Sequence, residues 1–327
     1  MGDGRRMDAS ARGATFANDA RRIWEVAEPI HAVIYFHPAV RRFAAEAGCH
    51  SFGEGYVGMR AAPLGAASAA TITSVFYTFS PRRIARWVPD VWSNSSPARL
   101  LDARLAAVDA ILRELWGLDA TGVAVRRAAE LASRVAANAA TAGRPLAAAN
   151  AALPVPHEPH LVLWQALTTL REHRGDGHLA ALVRSEVAPV EALLLAAATG
   201  RSPAEQLRVS RGWSERDWDE AARGLAARGW LTPEGTLTAL GAQVRAELEN
   251  ITDLLAAGPY RELDRDERDE LYAILYRLAE RVALGGGFTW PNATGLNWPP
   301  ASERPESRPP RRRERRRQPV ELGSTEG

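Results

Sequence analysis

Lysine is absent from the 327 residues, and cysteine occurs once, at Cys49. A single thiol excludes an intrachain disulfide and any paired-cysteine metal or redox motif, which suits a reducing cytoplasm. Without lysine no Walker-type phosphate loop can be completed. All 41 basic residues are therefore arginine, and their number reflects coding bias as much as nucleic-acid binding. No apolar run reaches the roughly 18 residues that cross a bilayer, and no basic start leads into an apolar core of signal-peptide length. A cytoplasmic protein without membrane contact is expected, and the sequons at Asn94 and Asn292 are then accidental. Charge of either sign is in small excess, +2 in total. Residues 299–327 hold eight arginines and five acids, +3, so the remainder carries −1 and the folded body is not basic.

Helical periodicity dominates what is present. Residues 1–17 read as a loose tail and 18–153 as a helical region. The glycine-rich stretch 48–66 reads as close helix packing, or as backbone N–H groups offered to a ligand. Pro89 to Pro97 reads as a loop. Residues 154–188 connect, with a turn at 173–178, and a Pro/Arg-rich tail fills 285–327. The intervening residues 189–284 carry the clearest order. Val190 to Ala198 is apolar almost all round, Gly200 stops it, and Ser202-Pro203 starts a second helix. Ser214 and Asp217 form a capping-box-like start to a third, whose Trp218, Ala221, Ala222, Leu225 and Ala226 share one face. Trp230-Leu231, the turn Thr232-Pro-Glu-Gly235 and Thr238 then suggest two short strands before a closing helix. That order is a winged helix-turn-helix. The fold class expected is mainly α: a helical N-terminal domain plus a C-terminal winged helix-turn-helix with a small β-hairpin wing.

On Leu225, Arg228-Gly-Trp-Leu231, Glu234-Gly235, Leu237-Thr238, Gly241 and Glu249-Asn-Ile-Thr-Asp253, residues 189–257 resemble the MarR-type winged-helix regulators. The segments HPAVRRF (37–43), RAAPLG (60–65), FYTFSP (76–81) and REHRGDGH (171–178) are similar to an actinobacterial family of helical proteins with such a segment, which brings no activity with it. The MarR resemblance implies DNA as a partner, with Arg208, Arg211, Arg216 and Arg223 as candidate contacts. It also implies a homodimer paired through terminal helices, for which 264–284 has an apolar stripe: Leu271, Ile274, Leu275, Leu278 and Val282. One feature opposes DNA binding. From Ser214 through Arg228 the recognition helix has four acids and three arginines, and acids repel phosphate.

A small-molecule site is the other candidate chemistry. Arg171, Glu172, Asp176 and His178 form the densest polar cluster, and Arg60 is expected to join them as ligand-binding residues. Arg171 suits a carboxylate or phosphate, and Asp176 could orient His178. The alternative is a connector whose side chains cap two helices. His31, Tyr35, His37, His50 and Tyr56 form a second group without metal-ligand spacing, so no metal and no cofactor are expected. Ser68, Thr71 and Ser74 lack a G-x-S-x-G setting. Cys49 reads as a buried thiol, and Trp87, Trp92 and Trp164 read as core or cavity lining. Three functions remain open: a ligand-responsive regulator, a small-molecule-binding protein or enzyme with a structural winged helix, and an interaction protein.

Overall fold

The computed structural model describes residues 3–287, 295 and 298–300, with backbone only for 3–12. Its α-helices in chain order are α1 (Asp3–Phe36), α2 (Val40–Glu46), α3 (Phe52–Ala61), α4 (Ala69–Val75), α5 (Pro81–Asn94), α6 (Pro97–Trp116) and α7 (Val123–Ala137). They continue with α8 (Pro145–Ala151), α9 (Pro159–Arg184), α10 (Pro189–Ala197), α11 (Ala204–Arg211), α12 (Glu215–Ala227), α13 (Ala239–Ala256) and α14 (Arg265–Leu284). The mainly-α expectation holds. The expected arginine run at 311–317 lies outside the described residues.

Helix α9 is the axis. Trp164 and Leu163 are wholly buried in a core shared by α1, α6, α7 and α14. The far end of α9 belongs to a different cluster. Ala181 and Leu182 pack there with Leu194 of α10, Leu225 of α12 and Leu248 of α13. A third cluster joins α3, α4 and α5 through Val57, Ile72, Phe76 and Ile84. The expected turn at 173–178 is therefore corrected: α9 runs through it unbroken. Two glycines would cost roughly 1 kcal/mol each relative to alanine in a helix. Gly177 shows what offsets that cost: a Cβ there would lie 2.8 Å from an Arg144 guanidinium nitrogen and 3.2 Å from Leu255 Cβ. Likewise Pro89, read as loop, sits inside α5, which continues to Asn94. The glycine-rich stretch contributes α3, where a Cβ at Gly53 would fall 2.1 Å from the Trp87 ring, so packing governs it.

The helix-turn-helix forms as the capping signals indicate. Ser214 accepts from the Asp217 N–H, and the Asp217 carboxylate accepts from the Ser214 N–H in return. Among the described residues no strand is present, which corrects the β-hairpin wing to one antiparallel bridge between Leu231 and Leu237. The arms are too short for a ladder. The Thr232 N–H to Thr236 carbonyl bond (2.8 Å) and the Thr238 N–H to Trp230 carbonyl bond (3.1 Å) close the bend at once. The apolar stripe of α14 is also accounted for within the chain. Leu271, Leu275 and Val282 are 0% exposed against α1, α6 and α7, so this stripe is not free to pair with a second copy. No helix among the described residues is long and apolar enough to cross a membrane.

The bend after α12 leans on the start of α13. A Cβ at Gly241 would lie 1.9 Å from the Trp230 carbonyl oxygen, a backbone atom with no freedom to move alone. Gly241→Ala is expected to lower the unfolding free energy by about 2 kcal/mol, read from urea denaturation, as overpacking does.

Candidate ligand-binding cleft

The helix-turn-helix is fastened to the helical body at its own turn. Gly212, between α11 and α12, adopts a left-handed φ of 78°, and its carbonyl accepts from the Ser80 hydroxyl at 2.8 Å. The Ser80 N–H donates to the Arg211 carbonyl (2.9 Å), Trp213 Nε1 to the Thr78 carbonyl (2.8 Å), and Arg83 to the Val209 carbonyl (2.7 Å). Arg82 pairs with Asp217 at 2.6 Å, and the Tyr77 hydroxyl donates to the Val187 carbonyl at 2.6 Å. Between these ties and α9 lies a cleft of about 1210 Å³, with α10, α11 and α13 on one side and α1, α3, α5 and α9 on the other. Its lining side chains include eight arginines and three glutamates, along with Trp24, Phe52, Tyr56, Phe79 and Trp87.

A buried ion chain stands behind the cleft and reaches its lining through Arg171 and Glu28. Arg60 of α3 grips Glu172 of α9 with two bonds of 3.0 Å. Arg171 donates to the other side of the same carboxylate at 2.9 Å and reaches Glu28 of α1 at 3.5 Å. Glu172 is 1% exposed. Burial would push its carboxyl up, but Arg171 and Arg60 hold it well below the usual range. Glu28, held less firmly, is raised by burial. His31 is kept neutral by burial, bonded to Thr168 at 3.0 Å and stacked on Trp164. Tyr56 meets Tyr35 at 4.9 Å and Phe79 at 5.6 Å between ring centres. Burial would raise its phenol, yet Arg60, Arg211 and Arg171 draw it below its ordinary value.

Of the residues expected to bind ligand, Arg60, Arg171 and Glu172 are thus brought together, and His178 lines the cleft farther along. Asp176 is not with them. It lies on another face of α9, where its carboxylate accepts from the Ala147 N–H at 2.9 Å. Burial raises it to about 6. It does not orient His178, whose Nδ1 meets the Thr252 hydroxyl at 2.9 Å, and which burial lowers to about 4. An uninterrupted helix forces this separation, since positions two apart point to different sides. His37 and His50 stay apart from the cluster: the His37 ring accepts from the Ala39 N–H, and His50 is exposed. Cys49 is 6% exposed, and burial pushes its thiol up to about 11, which makes it unreactive.

The candidate DNA contacts divide in two. Arg216 and Arg223 stand on the open face of α12. Arg208 pairs with Glu205 (2.8 Å) and Glu215 (3.5 Å). Arg211 faces inward, 4.5 Å above the Phe79 ring in the cleft. Neither its inward position nor the cleft itself was signalled by sequence. The α11 period puts Arg211 at the helix end, and only the docking of Gly212 on Ser80 turns that end toward the body. A model of a helix-turn-helix family matches residues 20–289, covering the body and the helix-turn-helix together. No curated protein and no solved structure matches the chain.

Two outcomes follow from these buried charges. Glu172→Gln should cost about 3 kcal/mol of stability at neutral pH, because it leaves two buried guanidinium groups short of a counter-charge. The exposed Glu46→Gln, which breaks only the 3.9 Å pair with Arg42, should change stability by less than about 0.5 kcal/mol in the same urea titration. The second concerns pH. His173 and His178 titrate near 4 when folded against 6.5 ordinarily, so the unfolded chain binds protons that the folded one refuses. Stability should fall as pH drops from about 6.5 to 4. Asp176, raised to about 6 from 3.8, acts oppositely in that window. His178→Gln should therefore flatten the pH slope of the unfolding free energy, and Asp176→Asn should steepen it.

Proposed function

Because the chain belongs to this helix-turn-helix family, we propose that it is a ligand-responsive transcriptional regulator. The cleft between the body and the helix-turn-helix holds a small molecule, and α12 is the output surface toward DNA. The observation that carries the ligand half is that α10, α11 and α13 supply one whole wall of the cleft. Anything filling it touches the helix-turn-helix and α9 at once, which is what coupling between two sites requires. Its volume and its mix of aromatic and polar lining suit a small organic molecule. On the DNA side, Arg216 and Arg223 are the arginines on the open face of α12, and neither forms a salt bridge among the described residues. The resemblance of residues 189–257 to MarR-type regulators favours the same assignment. A homodimer of such a regulator would have to use a surface other than α14, whose stripe is buried in its own chain.

A second reading is favoured by charge. The exposed positions of α12 include Glu215, Asp219 and Glu220 beside the two arginines. An acidic outer face opposes phosphate contact, and the helix-turn-helix would then serve only as the wall of the ligand site.

Duplex DNA titrated at several salt concentrations separates the two. For a regulator, Arg216→Ala with Arg223→Ala should weaken binding uniformly across sequences and reduce the salt slope by about two. Glu215→Gln should tighten it. Binding that is absent, or unchanged in both variants, would leave only the ligand-site reading.

A further inference from the structure

The charges inside the cleft are unbalanced. Arg171 is engaged by Glu172 and Glu28, Arg174 by Asp253 (2.6 Å) and Arg245 by Glu249. Arg211 is different. No carboxylate lies within ion-pairing distance of it among the described residues; one guanidinium nitrogen meets the Ser210 hydroxyl at 3.3 Å, and its Nε is buried without a partner. Arg83, beside it on the cleft wall, is likewise held by a carbonyl and by the Trp87 ring, not by an acid. A guanidinium turned away from bulk water with no counter-ion is costly. Burial, with Arg60 and Arg171 adding repulsion, lowers the Arg211 pKa, although Tyr56 offsets part of that.

Resting on the cleft as the ligand site, we propose that its ligand is an organic anion. Its charged head, a carboxylate or a phosphate, seats at Arg211 between Arg171 and Tyr56, and its flat apolar body lies against Phe79 and Trp87. The head supplies the counter-charge that Arg211 lacks. The apolar side follows from the aromatic lining on the α3 and α5 side, where Tyr56, Phe79 and Trp87 meet the cleft. The two gripping arginines come from different parts of the chain, Arg171 from α9 and Arg211 from the last turn of α11. Such an anion therefore draws the helix-turn-helix onto the body, and Arg211 is a reader of ligand in place of DNA.

The test uses full-length protein and two fluorescent probes with the same aromatic body: 1-anilinonaphthalene-8-sulfonate, which is anionic, and N-phenyl-1-naphthylamine, which is neutral. Three forms are compared: wild type, Arg211→Met and Arg211→Lys, each first shown to be folded by its thermal unfolding. The anionic probe should bind wild type about tenfold or more tighter than the neutral one, as a charge-assisted contact provides. Arg211→Met should abolish that preference without weakening the neutral probe, and Arg211→Lys should restore part of it. Benzoate and phenyl phosphate as competitors then distinguish the two head groups. Equal binding of both probes, or a preference that survives Arg211→Met, overturns the anion assignment and leaves the cleft as an apolar site. Binding of both probes that is unaffected when Ala196, on the cleft wall, is replaced by Trp places them outside the cleft and overturns the ligand-site reading as well.

Discussion

The arrangement depends on one buried carboxylate. Glu172 sits midway along α9 with no access to water, and two arginines satisfy it from different directions. Arg60 fixes α3 against α9, and Arg171, shared with Glu28, fixes α1. A buried ion pair of this kind adds little stability over an apolar substitute, but it penalises every packing that separates its members. It therefore acts on specificity: α3 can dock on α9 in only one way that keeps Glu172 paired. That docking places Tyr56, four residues before Arg60 on α3, at the floor of the cleft, and Tyr56 brings Phe79 and the Ser80 contact to Gly212 into line.

The charge distribution inverts what a DNA reader alone would show. Eight arginines line a shared cleft, six of them buried or half-buried, and acids accumulate on the open side of α12. Non-specific DNA affinity comes from exposed cations. Buried and half-buried cations serve small anions better, because low local polarity strengthens each contact. The helix-turn-helix is thus more than an appendage of the body. Its α11 ends inside the cleft, and its turn is hydrogen-bonded to the loop before α5.

Much of the helix-turn-helix was legible in the chain because its signals are local. The Ser214–Asp217 capping box, the stripe of α14 and the bend at 232–235 all depend on residues within a few positions of each other. The cleft was not legible, because its parts are far apart in sequence: Arg60 and Glu172 are separated by 112 positions and Ser80 and Gly212 by 132. The segment 171–178 shows why local reasoning failed there. Two glycines in a polar run look like a turn, yet the space at Gly177 is filled by Arg144 and Leu255 from elsewhere, and tertiary packing keeps the helix whole. Arg211 illustrates the same limit. As a residue type at a helix end it resembles a phosphate contact, and only the docked turn aims it inward.

Hydrogen exchange of the backbone amides, with and without saturating 1-anilinonaphthalene-8-sulfonate, tests most directly whether the cleft joins the two halves. The account predicts added protection in α11 and in residues 171–178 of α9 together, with α6, which lies away from the cleft, unchanged. Protection confined to the body, with α11 exchanging as before, would contradict it.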